Sequence, residues 1–273
     1  MAIRSILTNY TGSGGGAAAL RMAIQMARKY DAHLTGAVWQ SQNPLRRRAG
    51  AMFTREIDRI LDQAEAEFVE DRRTAFTAAV TEAGLADRAD FRVLSARGDS
   101  VTEAARGHDI ITMGGAAKGN AADEFAVRPD VVALRSGRPV VVVPAGYDKP
   151  AIVETALLAW DGKRAAARAL ADAMHILGTK EKVTVLGIGE SLSEDFGADV
   201  LRLMALHGIE AELLLRAPGP GGIGPTILDA CAGTGAGLLI MGAYEHSKFT
   251  EDLLGGVTRD ILENAQLPVL MSH

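Results

Sequence analysis

The sequence predicts an α/β protein made of two doubly wound, five-stranded parallel sheets joined in one chain. Three observations carry this. Short runs such as "VVVV" and "LLIM" are apolar throughout, as expected for parallel strands covered by helices on both faces. These runs alternate with Ala-rich helical segments, the order that gives doubly wound sheets. The order of parts also occurs twice: "RSILTNYTGSGGGAAALRMAIQMA" parallels "TALLAWDGKRAAARALADAMHIL", "DIITMGGA" parallels "GLLIMGAY", and "RPVVVVPAG" parallels "LPVLMSH".

In the first half the strands are expected at 5–9, 33–39, 91–95, 109–113 and 139–143. In the second they are expected at 155–159, 183–187, 211–215, 238–241 and 268–271. Aligning Gly12 with Gly162 and Pro139 with Pro268 leaves the first half longer, and the surplus falls in 41–83. That surplus reads as a long amphipathic helix. Phe53, Ile57, Ile60, Leu61, Ala64, Phe68, Ala75, Phe76, Ala79 and Val80 recur at helical spacing, and Gly84 stops it. A shorter counterpart is expected at 194–207, stopped by Gly208. Pro144 and Pro150 interrupt regular structure in "AGYDKPAIV", so the division is placed between 1–148 and 149–273. Each half would end on an apolar edge strand, which is an aggregation hazard if left uncovered. Pairing the two edges removes it and gives a pseudo-twofold internal dimer.

The 273 residues suit one large domain or two ordinary ones, and 48% are hydrophobic, enough for a substantial core. Net charge is −5, and the one basic run, Arg46-Arg47-Arg48, reads as a solvated loop. Nucleic acid is therefore not expected as a partner. The single cysteine, Cys231, excludes an internal disulfide and reads as a small buried residue. "MAIRSILTNY" carries no signal-peptide pattern, and no apolar stretch approaches the ~18 residues of a membrane span. A cytoplasmic location is expected, with no membrane association.

The candidate site lies in "GLLIMGAYEHSKFTEDLLGGVTRDILENAQLPVLMSH". Gly242 ends a strand at the carboxyl edge of the sheet, where open α/β folds bind ligands. Gly255 and Gly256 open the last helix, with Val257 and Thr258 in its first turn. Amides at a helix start, beside a hydroxyl, are suited to a phosphate. No nucleophile motif of the G-x-S-x-G kind and no zinc-type His/Cys spacing is present. His175 and His207 read as helix residues, while His246 sits in the loop and suits a phosphate contact. "Gly12-x-Gly14-x-x-Ala17" formally meets the dinucleotide fingerprint. The second strand, however, ends in Val38-Trp39-Gln40-Ser41 with no carboxylate for a ribose, so that reading is set aside.

"MGAYEHSKFTEDLLGGVTRDIL", taken with "ALLAWDGKRAA", resembles the universal stress protein family in its tandem form. The resemblance spans essentially the whole chain and is stronger in the second half. It implies the adenine-nucleotide α-hydrolase-like unit and, in nucleotide-binding members, a G-x2-G-x9-G-[S/T] motif around the phosphates and ribose of ATP. Gly242 matches the first glycine and Gly255 the third, with nine residues between Glu245 and Gly255. Glu245 stands where the second glycine is expected, and Gly256 where Ser or Thr is expected. The resemblance places Asp161, after the first strand of that half, near the adenosine, together with Ala159, and the backbone near Ile188 against the adenine.

Two departures weaken the motif. A Glu245 carboxylate ~4 Å from a phosphate charge repels it by ~4 kcal/mol at an effective dielectric of 20. Gly256 removes one hydroxyl donor, a loss of ~1 kcal/mol. In the first half Thr11 replaces the aspartate, and Arg128-Pro129 occupies the helix start, so no nucleotide is expected there. The resemblance thus implies an adenine-nucleotide-responsive sensor or interaction protein, with no catalytic residue and no metal. Its protein partners are unnamed by the sequence, and further homodimerisation is left open. A purely structural interaction module and a slow ATP hydrolase are the alternatives.

Overall fold

Ten strands and eight α-helices make up the described part of the chain. The computed structural model describes residues 2–12, 14–40, 55–95, 100–115, 127–193, 195–243 and 256–273. The first half contains β1 (Ser5–Asn9), α1 (Gly14–Tyr30), β2 (His33–Gln40), α2 (Arg55–Glu82), β3 (Ala89–Ser95), α3 (Val101–Ala105), β4 (Ile110–Gly114), α4 (Pro129–Ser136) and β5 (Val140–Val143). The second contains β6 (Thr155–Ala159), α5 (Arg164–Leu177), β7 (Lys182–Ile188), α6 (Ala198–Leu206), β8 (Ala211–Arg216), α7 (Ile223–Thr234), β9 (Leu238–Gly242), α8 (Gly256–Asn264) and β10 (Val269–Ser272). Every expected strand is present, within two residues at either end.

The strands form one sheet in the order β3-β2-β1-β4-β5-β10-β9-β6-β7-β8. Each half repeats the same internal order, and all pairings within a half are parallel. The halves join where β5 and β10 pair antiparallel, with Val142 opposite Val269 and Val140 opposite Met271. This is the edge-to-edge closure expected from the two proline-led last strands.

Alternation along the strands sends side chains to two cores. One side of the sheet is covered by α1, α2, α5 and α6, where Ile6, Ala23, Phe76, Leu170, Met204 and Leu270 share a cluster. The other side is covered by α3, α4, α7 and α8, with Leu7, Val101, Val132, Ile227, Ile261 and Val269. Both clusters draw on both halves, so the joint is part of the core. One polar face of α1 also holds the connecting segment. Arg21 donates to the Tyr147 carbonyl at 2.8 Å and Gln25 to the Lys149 carbonyl at 2.8 Å. Lys29 Nζ reaches both Glu154 oxygens at 2.7 and 2.6 Å.

The long helix corrects the amphipathic reading. Only Phe76 and Val80 of α2 are buried, while Ile57, Ile60 and Phe68 are exposed. Phe53 and Arg46-Arg47-Arg48 lie outside the described residues. Only the C-terminal third of α2 therefore enters the core, while Leu61 and Val69 nearer its start are half-buried. Both expected helix stops are present, with Gly84 and Gly208 at φ +71° and +73°.

Candidate functional site

The carboxyl ends of β6, β7 and β9 converge with the start of α8. Ala159 ends β6 and Ile188 ends β7. These two residues pack with Ala243 and Val257 against one apolar cluster. Gly242 pairs with Ser272 at the top of β9. Thr258 is buried at 5% exposure, and Gly256 is exposed, with no described atom within 4 Å of where its Cβ would stand. The structure thus gathers Ala159, Ile188, Gly242, Gly256, Val257 and Thr258 at one end of the half. Glu245, His246 and Gly255 lie outside the described residues.

Gly242 has a packing reason of its own. A Cβ there would lie 2.5 Å from the Ala165 carbonyl carbon and 2.6 Å from the Ala166 nitrogen. The first turn of α5 rests directly on the end of β9, and only glycine permits that approach. The first half repeats the contact, since a Cβ on Gly114 would stand 2.3 Å from the Gly15 carbonyl carbon. Gly15 is thereby explained as part of a close-packed helix start, its own Cβ position lying 2.7 Å from the Gly115 carbonyl oxygen, whereas a Cβ on Gly14 would meet no described atom within 4 Å.

Asp161 also has a local task. Its Oδ1 accepts from the Lys163 backbone N–H at 3.0 Å, at the cap of α5, and its side chain is 54% exposed. Its carboxylate therefore orders the β6–α5 turn. Cys231 is 2% exposed on α7, and burial pushes its thiol up to about 12, so it is an inert core residue.

Three arrangements went unread in the sequence. At the mouth of β9, His273 Nδ1 lies 2.7 Å from the Ala243 carbonyl oxygen, and Arg164 Nη2 lies 3.4 Å from His273 Nε2. In the first half, α4 begins at Arg128-Pro129 as expected, and its first turn carries Asp130, 3% exposed and paired with Arg128. That carboxylate sits at the helix end that favours negative charge. The first turn of α8 holds no acidic residue. Above the first half, the Arg72 guanidinium of α2 lies against Gly12 and over the Phe68 ring at 4.9 Å.

The fold is that of the universal stress proteins, two units in one chain. It is similar to a universal stress protein from Archaeoglobus fulgidus, with 15% identity, a TM-score of 0.72, and 98% of this chain and 96% of that one covered. It is also similar to a putative universal stress protein from Pseudomonas aeruginosa, at 17% identity and TM-score 0.55, covering 99% and 93% of the two chains. A functionally unknown protein of Pseudomonas aeruginosa gives 18% identity and TM-score 0.54, over 99% and 92%. No protein-family model matches the sequence, and no curated protein matches it. No described helix is long and apolar enough to cross a membrane. No cluster of potential metal ligands occurs among the described residues.

Proposed function

We propose that this chain is a tandem universal stress protein of the cytoplasm, an adenine-nucleotide-responsive sensor or interaction protein, not an enzyme. Its units are 1–148 and 149–273, and its nucleotide site is in the second. The observation that carries this reading is the difference between the two helix starts. In the first half the start of α4 holds its own buried carboxylate, Asp130. In the second, α8 opens with exposed Gly256, no acidic residue in its first turn, and no described atom at the Gly256 Cβ position. Amides at a helix N-terminus are the feature a phosphate recognises. Gly242 acts indirectly, by letting α5 approach the strand ends that border the site.

The test is a titration with labelled ATP, ADP and AMP. Gly256→Ser, which restores the hydroxyl, is expected to tighten binding by about fivefold. Val257→Pro removes an amide at the helix start and is expected to weaken it. Absence of binding at millimolar nucleotide in both the parent and Gly256→Ser rejects the site.

A second reading, a module acting through protein contacts alone, is favoured by one observation. The Asp161 carboxylate is already engaged with the Lys163 amide. Under that reading, added nucleotide changes neither melting temperature nor partner affinity.

A further inference from the structure

Where the halves meet, α1, β5, the connecting segment, α5 and the start of β9 line a partly open cavity of about 30 Å³. A water molecule needs roughly 10–15 Å³ on this measure, so the space holds about two waters or a few heavy atoms. Met22, Met26 and Ile176 supply apolar wall, and Tyr147 and Lys180 also line it. Tyr147 is 9% exposed, and its hydroxyl is buried without a hydrogen-bond partner. Such orphaned hydroxyls are uncommon in native interiors and mark a place where a partner is missing.

Lys180 provides the second observation. Its side chain is 1% exposed, and Nζ donates to the Val153 carbonyl at 2.7 Å and to Glu154 Oε2 at 3.3 Å. An ammonium has three N–H donors, so one remains. Glu154 also accepts from Lys29, so two ammonium groups share one carboxylate and leave an excess positive charge at the joint. Burial lowers the Lys180 pKa; Glu154 opposes the shift and Lys29 adds to it. An anion in the cavity would relieve this imbalance.

We propose that this cavity between the halves binds a small monocarboxylate with a short apolar tail. Its carboxylate accepts from the Tyr147 hydroxyl and Lys180 Nζ, and its tail lies among Met22, Met26 and Ile176. The requirement for an acceptor comes from the two donors, and the negative charge from the unbalanced lysines. The short tail follows from the volume, with the two methionines, unbranched and adaptable, giving way as it enters. The cavity is lined by none of Asp161, Gly242 or α8, so the proposal stands apart from the nucleotide site. Because the walls come from both halves, an occupant ties them together and raises stability by mass action.

The experiment uses the full chain with 13C-methyl-labelled methionine. Sodium acetate, propionate, butyrate and hexanoate are titrated to tens of millimolar against matched sodium chloride, 1-butanol and butyramide. Saturable shifts of the Met22 and Met26 methyl signals, with a rise in melting temperature, are expected for propionate or butyrate, fading at hexanoate. Tyr147→Phe keeps the ring and is expected to melt like the parent, yet to bind about tenfold more weakly or worse. Three results overturn the proposal: methyl signals that carboxylates leave unmoved, equal shifts from 1-butanol, or full affinity in Tyr147→Phe. A crystal soaked in butyrate that shows only water in the cavity does the same.

Discussion

Replacing Gly242 by alanine tests whether this glycine serves packing or ligand contact. The added Cβ would lie 2.5 Å from the Ala165 carbonyl carbon, 2.6 Å from the Ala166 nitrogen and 2.7 Å from the Ala165 Cβ. Carbon atoms settle at about 3.5–4.0 Å, so α5 must retreat by roughly 1 Å. The obstacles are backbone and Cβ atoms, which cannot swing aside as a long side chain can. Overpacking of this kind costs about 1–3 kcal/mol, and the rigid neighbours argue for the upper end. At roughly 2–4 °C per kcal/mol for a chain of this size class, the melting temperature should fall by about 6–12 °C. Gly114→Ala, whose Cβ would stand 2.3 Å from the Gly15 carbonyl carbon, should lose at least as much. Gly256→Ala, with no described neighbour within 4 Å, should stay within about 1 kcal/mol of the parent. Scanning calorimetry of the three variants decides the matter. If Gly242→Ala melts with the parent and loses only its nucleotide response, the packing argument is wrong.

Glu154→Gln removes the partner of Lys180, whose side chain is 1% exposed, and should cost about 2 kcal/mol at pH 7 by urea unfolding. Burial raises the Glu154 carboxyl, but hydrogen bonds and charge from Lys29 and Lys180 outweigh it and hold the pKa below its ordinary value. Its contribution is therefore complete above the usual glutamate range and disappears as pH falls through the lowered value. The gap between parent and variant should close below about pH 4; a gap that persists to pH 2 contradicts the assignment. Phe76→Ala, emptying a site 2% exposed, should cost about 3–5 kcal/mol, whereas Phe68→Ser, at 44% exposure, should change stability by less than about 0.5 kcal/mol. Equal losses in the two would mean that the outer part of α2 is held by the core after all. Native Cys231, buried and pushed up to about 12, should resist a thiol reagent at pH 8 and react only as the chain unfolds; rapid native labelling would count against its core placement.

The strands were legible because parallel strands buried on both faces must be continuously apolar, and "LLIM" and "VVVV" have no other comfortable place. The β5–β10 pairing was legible for the complementary reason that two bare apolar edges in one chain have each other as nearest remedy. The α2 stripe misled because helical periodicity reports an apolar face without saying what covers it. At the candidate site, residues at strand ends fell where strand boundaries put them: Ala159, Ile188 and Gly242. The packing role of Gly242 was not legible, since its cause is the backbone of α5, some 75 residues earlier in the chain. Asp130, Arg72 and the Tyr147–Lys180 cavity were likewise invisible. Each depends on side chains meeting across elements, and no local spacing encodes that.

The antiparallel seam between β5 and β10 has an evolutionary consequence. An assembly of two separate copies encoded by one gene carries every substitution twice, so a loss on one side is a loss on both. Covalent fusion across this seam lifts that obligation. One side can install an acid such as Asp130 at its helix start while its counterpart keeps a glycine there, and the shared core still holds the mismatched pair in fixed one-to-one proportion.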